Sequence, residues 1–145
     1  MSTLVALPEP VTLTITDRLI GHLAVTAAHL IATALGPRPR RLDAALRLLA
    51  RRAVPATAAQ TAHARDVVCT LSPRCGSGYG CLPRSLATAL LCRLHGRWPT
   101  WKTGVRFPPL ASHAWNEADG IPIGEDPAHI RTFTATITIP AGGSR

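Results

Sequence analysis

The chain has 145 residues, 46% hydrophobic and 17% charged, with a formal net charge of +8. That length suits one domain with a real core, and the composition is too apolar for a disordered segment. Lys102 is the only lysine, so arginine carries nearly all the positive charge; the three Trp, one Tyr and two Phe are not interleaved with basic runs, which argues against a nucleic-acid surface and leaves an acidic peptide or partner protein as the natural user of the field.

The N-terminal stretch MSTLVALPEPVTLTITDR lacks a basic start followed by an apolar block and a small-residue cleavage site. A cytoplasmic location follows, with Cys69, Cys75, Cys81 and Cys92 reduced. Thr16 or Asp17 is the expected cap of a first helix, whose apolar pattern runs from Leu19 to Leu35 and stops at Gly36 and Pro37. His22, His29 and two threonines interrupt that stretch, and it is short for a membrane span, so a buried helix is expected and no membrane partner. A second helix is expected over Leu42 to Arg52, with Leu42, Ala45, Leu46 and Leu49 as its apolar stripe and Pro55 ending it. A third runs from about Thr57 to Thr70, followed by the glycine-rich loop SPRCGSGYG.

That loop feeds a fourth helix from Cys81 or Leu82 to His95, in which Pro83 is tolerated because first-turn amides have no intrahelical acceptor. Beyond RWPTW the pattern turns to strands, in KTGVRF, SHAWNEA, IPIG and TFTATITI. Helices first and strands later predict an α+β domain of N-terminal helices packed on a C-terminal antiparallel sheet. A single domain over residues 1–145 is expected, mainly helical to residue 72 and carrying the catalytic helix and sheet from residue 73.

The chemistry concentrates on Cys81. A thiol at a helix N-terminus meets unpaired amides and the positive end of the dipole, and ionises more readily. Cys69 and Cys92 read as buried structural thiols, and Cys75 as an exposed thiol in the loop. The cysteines are separated by five, five and ten intervening residues, so no C-x-x-C pair exists and neither a metal nor a cofactor is expected.

Asp119-Gly120 is a favoured two-residue hairpin turn, and counting outward from it pairs His113 with Asp126. A one-residue bulge would deliver Glu125 instead, so Asp126 is the first choice for the acid and Glu125 the second. Cys81 as nucleophile, His113 as base and then acid, and a carboxylate orienting the imidazole make the parts of a thiol hydrolase.

CLPRSLATALLCRLHG, then GVRFPP, then HAWNEADG together resemble the transglutaminase-like leader peptidases of lasso-peptide biosynthesis, within the wider transglutaminase-like, papain-like superfamily. The resemblance is carried by residues Gly80 to Pro127. It implies cleavage of a precursor peptide between leader and core, with Cys81 as nucleophile and His113 as base. It also implies a separate ATP-dependent cyclase that closes the freed core. Arg84 and Arg106 match family positions and, with Trp115, are expected as supporting residues. The helices before Cys81 leave no room for the leader-recognition module of fused members, so the stand-alone type is expected, served by a separate recognition protein. Two alternatives remain: an acyl transferase using the same triad, and a noncatalytic scaffold for a peptide-modifying complex.

Overall fold

A computed structural model describes residues 10–143. Helix α1 (Ile15–Leu35) opens one turn earlier than the apolar pattern implied, because Thr14 caps it. The Asp17 amide donates to Thr14 Oγ1 at 3.0 Å and the Thr14 amide donates to Asp17 Oδ2 at 3.3 Å, a reciprocal box that satisfies two otherwise orphan donors. Asp17 is therefore inside the helix rather than at its cap. Helix α2 (Pro39–Ala50) starts three residues before Leu42, with Pro39 in its first turn, and ends before Arg52, which adopts φ 60°.

Pro55 does not terminate that helix but belongs to a short strand β1 (Val54–Pro55). Helix α3 (Ala58–Leu71) repeats the capping box with Thr57 and Gln60. The expected glycine loop contains one helical turn, α4 (Pro73–Gly76), capped by the Ser72 side chain. Helix α5 (Cys81–Leu94) follows.

Strand β2 (Arg97–Trp98) runs parallel to β1. Strands β3 (Thr100–Arg106), β4 (Ala111–Ala118), β5 (Ile121–Pro122) and β6 (Thr134–Ile139) form an antiparallel sheet in the order β5-β4-β3-β6, with a register shift between β3 and β6 at Thr103/Gly104. A single turn of helix, α6 (Pro127–Ile130), lies between β5 and β6 and had no counterpart among the expected elements. The architecture is the α+β arrangement of N-terminal helices against a C-terminal antiparallel sheet.

Helix α5 is the central element. Every residue from Pro83 to Cys92 is buried, so it has no solvated face over that span. It packs on α1 and α3 on one side and on the sheet on the other. Leu86, fully buried in it, contributes roughly 1.5–3 kcal/mol by leaving water. Ser85 joins helix to sheet: its hydroxyl accepts from the Trp101 indole at 3.0 Å, and its carbonyl accepts from Asn116 Nδ2 at 3.0 Å. These bonds fix the start of α5 against β3 and β4.

The expectation of a buried α1 holds for one face only. Gly21, Ala24 and Ala28 are buried, while Ile15, Leu19, Leu23 and Leu30 are 65% or more exposed. By length and composition α1 is apolar enough to cross a membrane; here small residues let one stripe approach α5 closely, and the large ones face outward.

Candidate active site

Cys81 is the first residue of α5, and Gly80 before it supplies no side-chain cap. The first-turn amides therefore stay available beside the thiol. Strand β4 brings His113 to this helix end. Burial alone would push the Cys81 thiol up, but the neighbouring His113 imidazole, the Ala114 amide and the charges of His113 and Arg84 outweigh it, and the thiol lies below its ordinary range. Burial likewise opposes the charged form of His113, yet the Cys81 thiol beside it and the bond to Glu125 push it up to about 9. Both shifts run in the direction that favours a thiolate beside an imidazolium.

The acid beside His113 is Glu125. Nε2 of His113 lies 3.1 Å from Glu125 Oε2, and the two side chains are only 15% and 11% exposed. With Nε2 engaged by the carboxylate, Nδ1 is the nitrogen left for Cys81, and the tautomer needed for proton transfer follows.

Asp126, the first choice from the hairpin count, is displaced from this role. The turn itself forms as expected, with Asp119 at φ 53° and Gly120 at φ 73°, and Glu117 and Ala118 face Pro122 and Ile121. The ladder extends to the Ile123 amide, which donates to Asn116 O at 2.9 Å. It then breaks at Gly124, where φ is 69°, a backbone that favours glycine, and where the Arg65 guanidinium packs on the α-carbon. The chain turns there, Glu125 swings under His113, and Asp126 faces solvent, where its Oδ1 accepts from the Ala128 amide at 2.9 Å and caps α6.

Arg84 is 6% exposed and braces the site from below. Its Nη1 donates to the carbonyls of Cys75 and Ser77, each at 3.0 Å, which holds the loop leading into Cys81. Its Nη2 lies 3.9 Å from Glu125 Oε1, a long contact that adds field more than a bond. Trp115 is buried and stacks on His113 with centroids 6.0 Å apart and planes within 15°, while its indole donates to Glu117 Oε1 at 3.0 Å. Arg106 does not meet the triad; it sits over the Phe133 ring at 5.1 Å.

Three neighbours escaped the sequence reading. Phe133 and His129 approach the His113 ring with centroids at 5.6 and 5.9 Å, and Arg65 backs Gly124. Phe133 was legible only as the start of a strand, and His129 belongs to the unforeseen α6.

Beside Cys81 and His113 lies a cleft of about 280 Å³. Its walls are Leu42, Leu82, Val105 and Ile137, with Gly104 as a flat patch between them. The other thiols are different. Cys75 is fully buried in α4, not exposed as expected, because the loop folds into a helical turn. Burial pushes Cys69 and Cys75 up and takes Cys92 to about 12, so Cys81 alone is activated. Among the described residues no group of three or more His, Cys, Asp or Glu could hold a metal ion.

A family model described as the transglutaminase-like superfamily matches residues 23–138. No curated protein and no solved structure matches the chain.

Proposed function

Because the chain belongs to the transglutaminase-like superfamily, whose members commonly act as cysteine hydrolases or transferases, we propose that it is a cysteine peptidase that removes the leader from a lasso-peptide precursor. The observation that carries catalysis is the relay of Glu125 on His113 and His113 on Cys81 at the N-terminus of α5. The observation that carries the substrate is the sequence resemblance over Gly80 to Pro127.

In this reading the Cys81 thiolate attacks the carbonyl carbon between leader and core. Electrons move onto the carbonyl oxygen, beside the free first-turn amides of α5. As the C–N bond breaks, the His113 imidazolium gives its Nδ1 proton to the departing core amine, leaving the leader as a thioester on Cys81. Neutral His113 then takes a proton from water, whose oxygen attacks the thioester. The C–S bond breaks, the leader leaves as a carboxylic acid that gives its proton to solvent, and the thiolate–imidazolium pair is restored. Glu125 holds the imidazole throughout and stabilises its charged form.

A separate recognition protein would deliver the leader, and an ATP-dependent cyclase would take the freed core, all in the cytoplasm. The family also contains transferases, in which an amine replaces water at the thioester. Mass spectrometry of a precursor peptide incubated with the chain and a recognition protein separates the outcomes. Wild type and Cys92→Ala should release a leader fragment heavier by one water, and Cys81→Ala should not. A joined product without added water would replace the peptidase with a transferase, and an intact, bound precursor would leave a scaffold.

A further inference from the structure

The cleft beside Cys81 has a charged neighbour. Pro39, at the start of α2, borders that cleft and also a second, open recess of about 420 Å³, lined by Arg38, Pro39, Arg40 and Arg41. Pro39 lines both. All three arginines are exposed. Among the described residues none of them forms an ion pair: Arg38 Nη1 donates only to the Ala34 carbonyl, and the nearby Asp43 is taken by Arg47 at 3.0 Å. A run of unneutralised guanidinium groups costs self-repulsion, and here it adjoins the catalytic groove instead of a featureless face.

We propose that this arginine recess is the extension of the Cys81 cleft, and that the peptide processed there carries carboxylate side chains that lie on Arg38, Arg40 and Arg41. The inference rests on the peptide-processing reading and adds the substrate's chemical class. An extended peptide advances about 3.3 Å per residue, so a segment whose scissile carbonyl sits at Cys81 passes Leu42 and Pro39 and reaches the guanidinium groups a few residues on. Carboxylates suit the planar fork of arginine, which accepts them in pairs of parallel hydrogen bonds. Each contact is exposed and weak, so the cluster acts by number and is screened by salt.

Binding to the full-length Cys81→Ala chain, measured by isothermal titration, tests this without requiring turnover. The probes are ten-residue peptides with a central Gly-Ala, flanked on one side or the other by three glutamates or by three glutamines. One of the glutamate peptides should bind roughly 10-fold tighter than its glutamine counterpart at low salt, as expected for several exposed pairs. The advantage should vanish in Arg40→Glu/Arg41→Glu, shrink in Arg40→Gln/Arg41→Gln, and return for a lysine peptide on the charge-reversed chain. With the wild-type thiol, the same glutamate peptide should slow alkylation of Cys81 by iodoacetamide. Equal binding of glutamate and glutamine peptides overturns the proposal while leaving the peptidase intact. So does tight binding that leaves Cys81 unprotected, because the recess would then be separate from the cleft. Equal protection by an RNA oligonucleotide of the same charge would make the recess a general polyanion surface and also overturn it. Binding and protection as expected, without precursor cleavage, would instead remove the peptidase reading and keep the acidic ligand.

Discussion

Replacing Glu125 with glutamine keeps the side chain's shape and removes its charge. In the wild type His113 is pushed up from an ordinary 6.5 to about 9, and after Cys81 the largest support comes from its bond to Glu125 and from that residue's charge. An opposite charge at hydrogen-bond distance typically moves a pKa by about 1–3 pH units, and the 3.1 Å contact is nearly enclosed by protein. The His113 midpoint should therefore fall by about one pH unit or more in Glu125→Gln. The sign follows from the charged form: a neutral amide supports an imidazolium less than a carboxylate does. Cys81 loses part of its cationic partner at neutral pH, so its alkylation midpoint should rise. Turnover should drop on the order of 10²–10⁴-fold, the range for loss of a base or of its orienting acid. At 15.4 kDa the chain suits NMR titration of histidine carbon-bound protons, with His113 assigned through a His113→Asn spectrum. Asp126→Asn is the paired control. It should leave the His113 midpoint in place and change stability little, because asparagine caps a helix about as well as aspartate. A His113 midpoint that stays near its wild-type value in Glu125→Gln and falls in Asp126→Asn would refute the assignment.

Arg84→Met should destabilise the chain by about 1–3 kcal/mol in a denaturant melt, because the buried carbonyl of Cys75 and the half-buried one of Ser77 lose their donor. It should also raise the pH at which Cys81 becomes reactive toward iodoacetamide, since Arg84's charge helps hold that thiol down. Gly124→Ala should lower turnover, because a methyl group strains the left-handed backbone and must push the Arg65 guanidinium aside, and Glu125 is the next residue. Leu86→Ala should cost about 2–5 kcal/mol in the same melts, as for other fully buried leucines, and shift no titration midpoint.

Where the sequence carried a strong local rule, the structure follows it. Asp119-Gly120 forms the turn its dipeptide implies, and the register next to it is the one obtained by counting outward. Cys81 opens α5 because the preceding glycines cannot propagate a helix and Pro83 falls in the first turn, where its missing amide is harmless. Both are decided within a few residues. The acid of the triad is not. Counting along the hairpin assumes that the ladder persists, and it holds as far as Ile123. It ends at Gly124, whose φ of 69° turns the chain and whose neighbour across the fold is Arg65 on α3, far away in sequence.

The same distinction explains the thiols. Cys75 and Cys81 each sit beside glycine in one loop-to-helix segment, and composition does not separate them. Ser72 caps a helical turn around Cys75 and carries it into the core, where burial suppresses ionisation. Cys81 emerges against a strand that brings a histidine, and the histidine brings a carboxylate. Burial raises all the cysteines, so low polarity alone would have silenced Cys81 too. The difference is made by His113 and the Ala114 amide, since the charge of Arg84 also lowers Cys69 and Cys75 and does not rescue them. A nucleophile in this fold is therefore defined by its partners on β4, and no property of the cysteine's own helix suffices to pick it out.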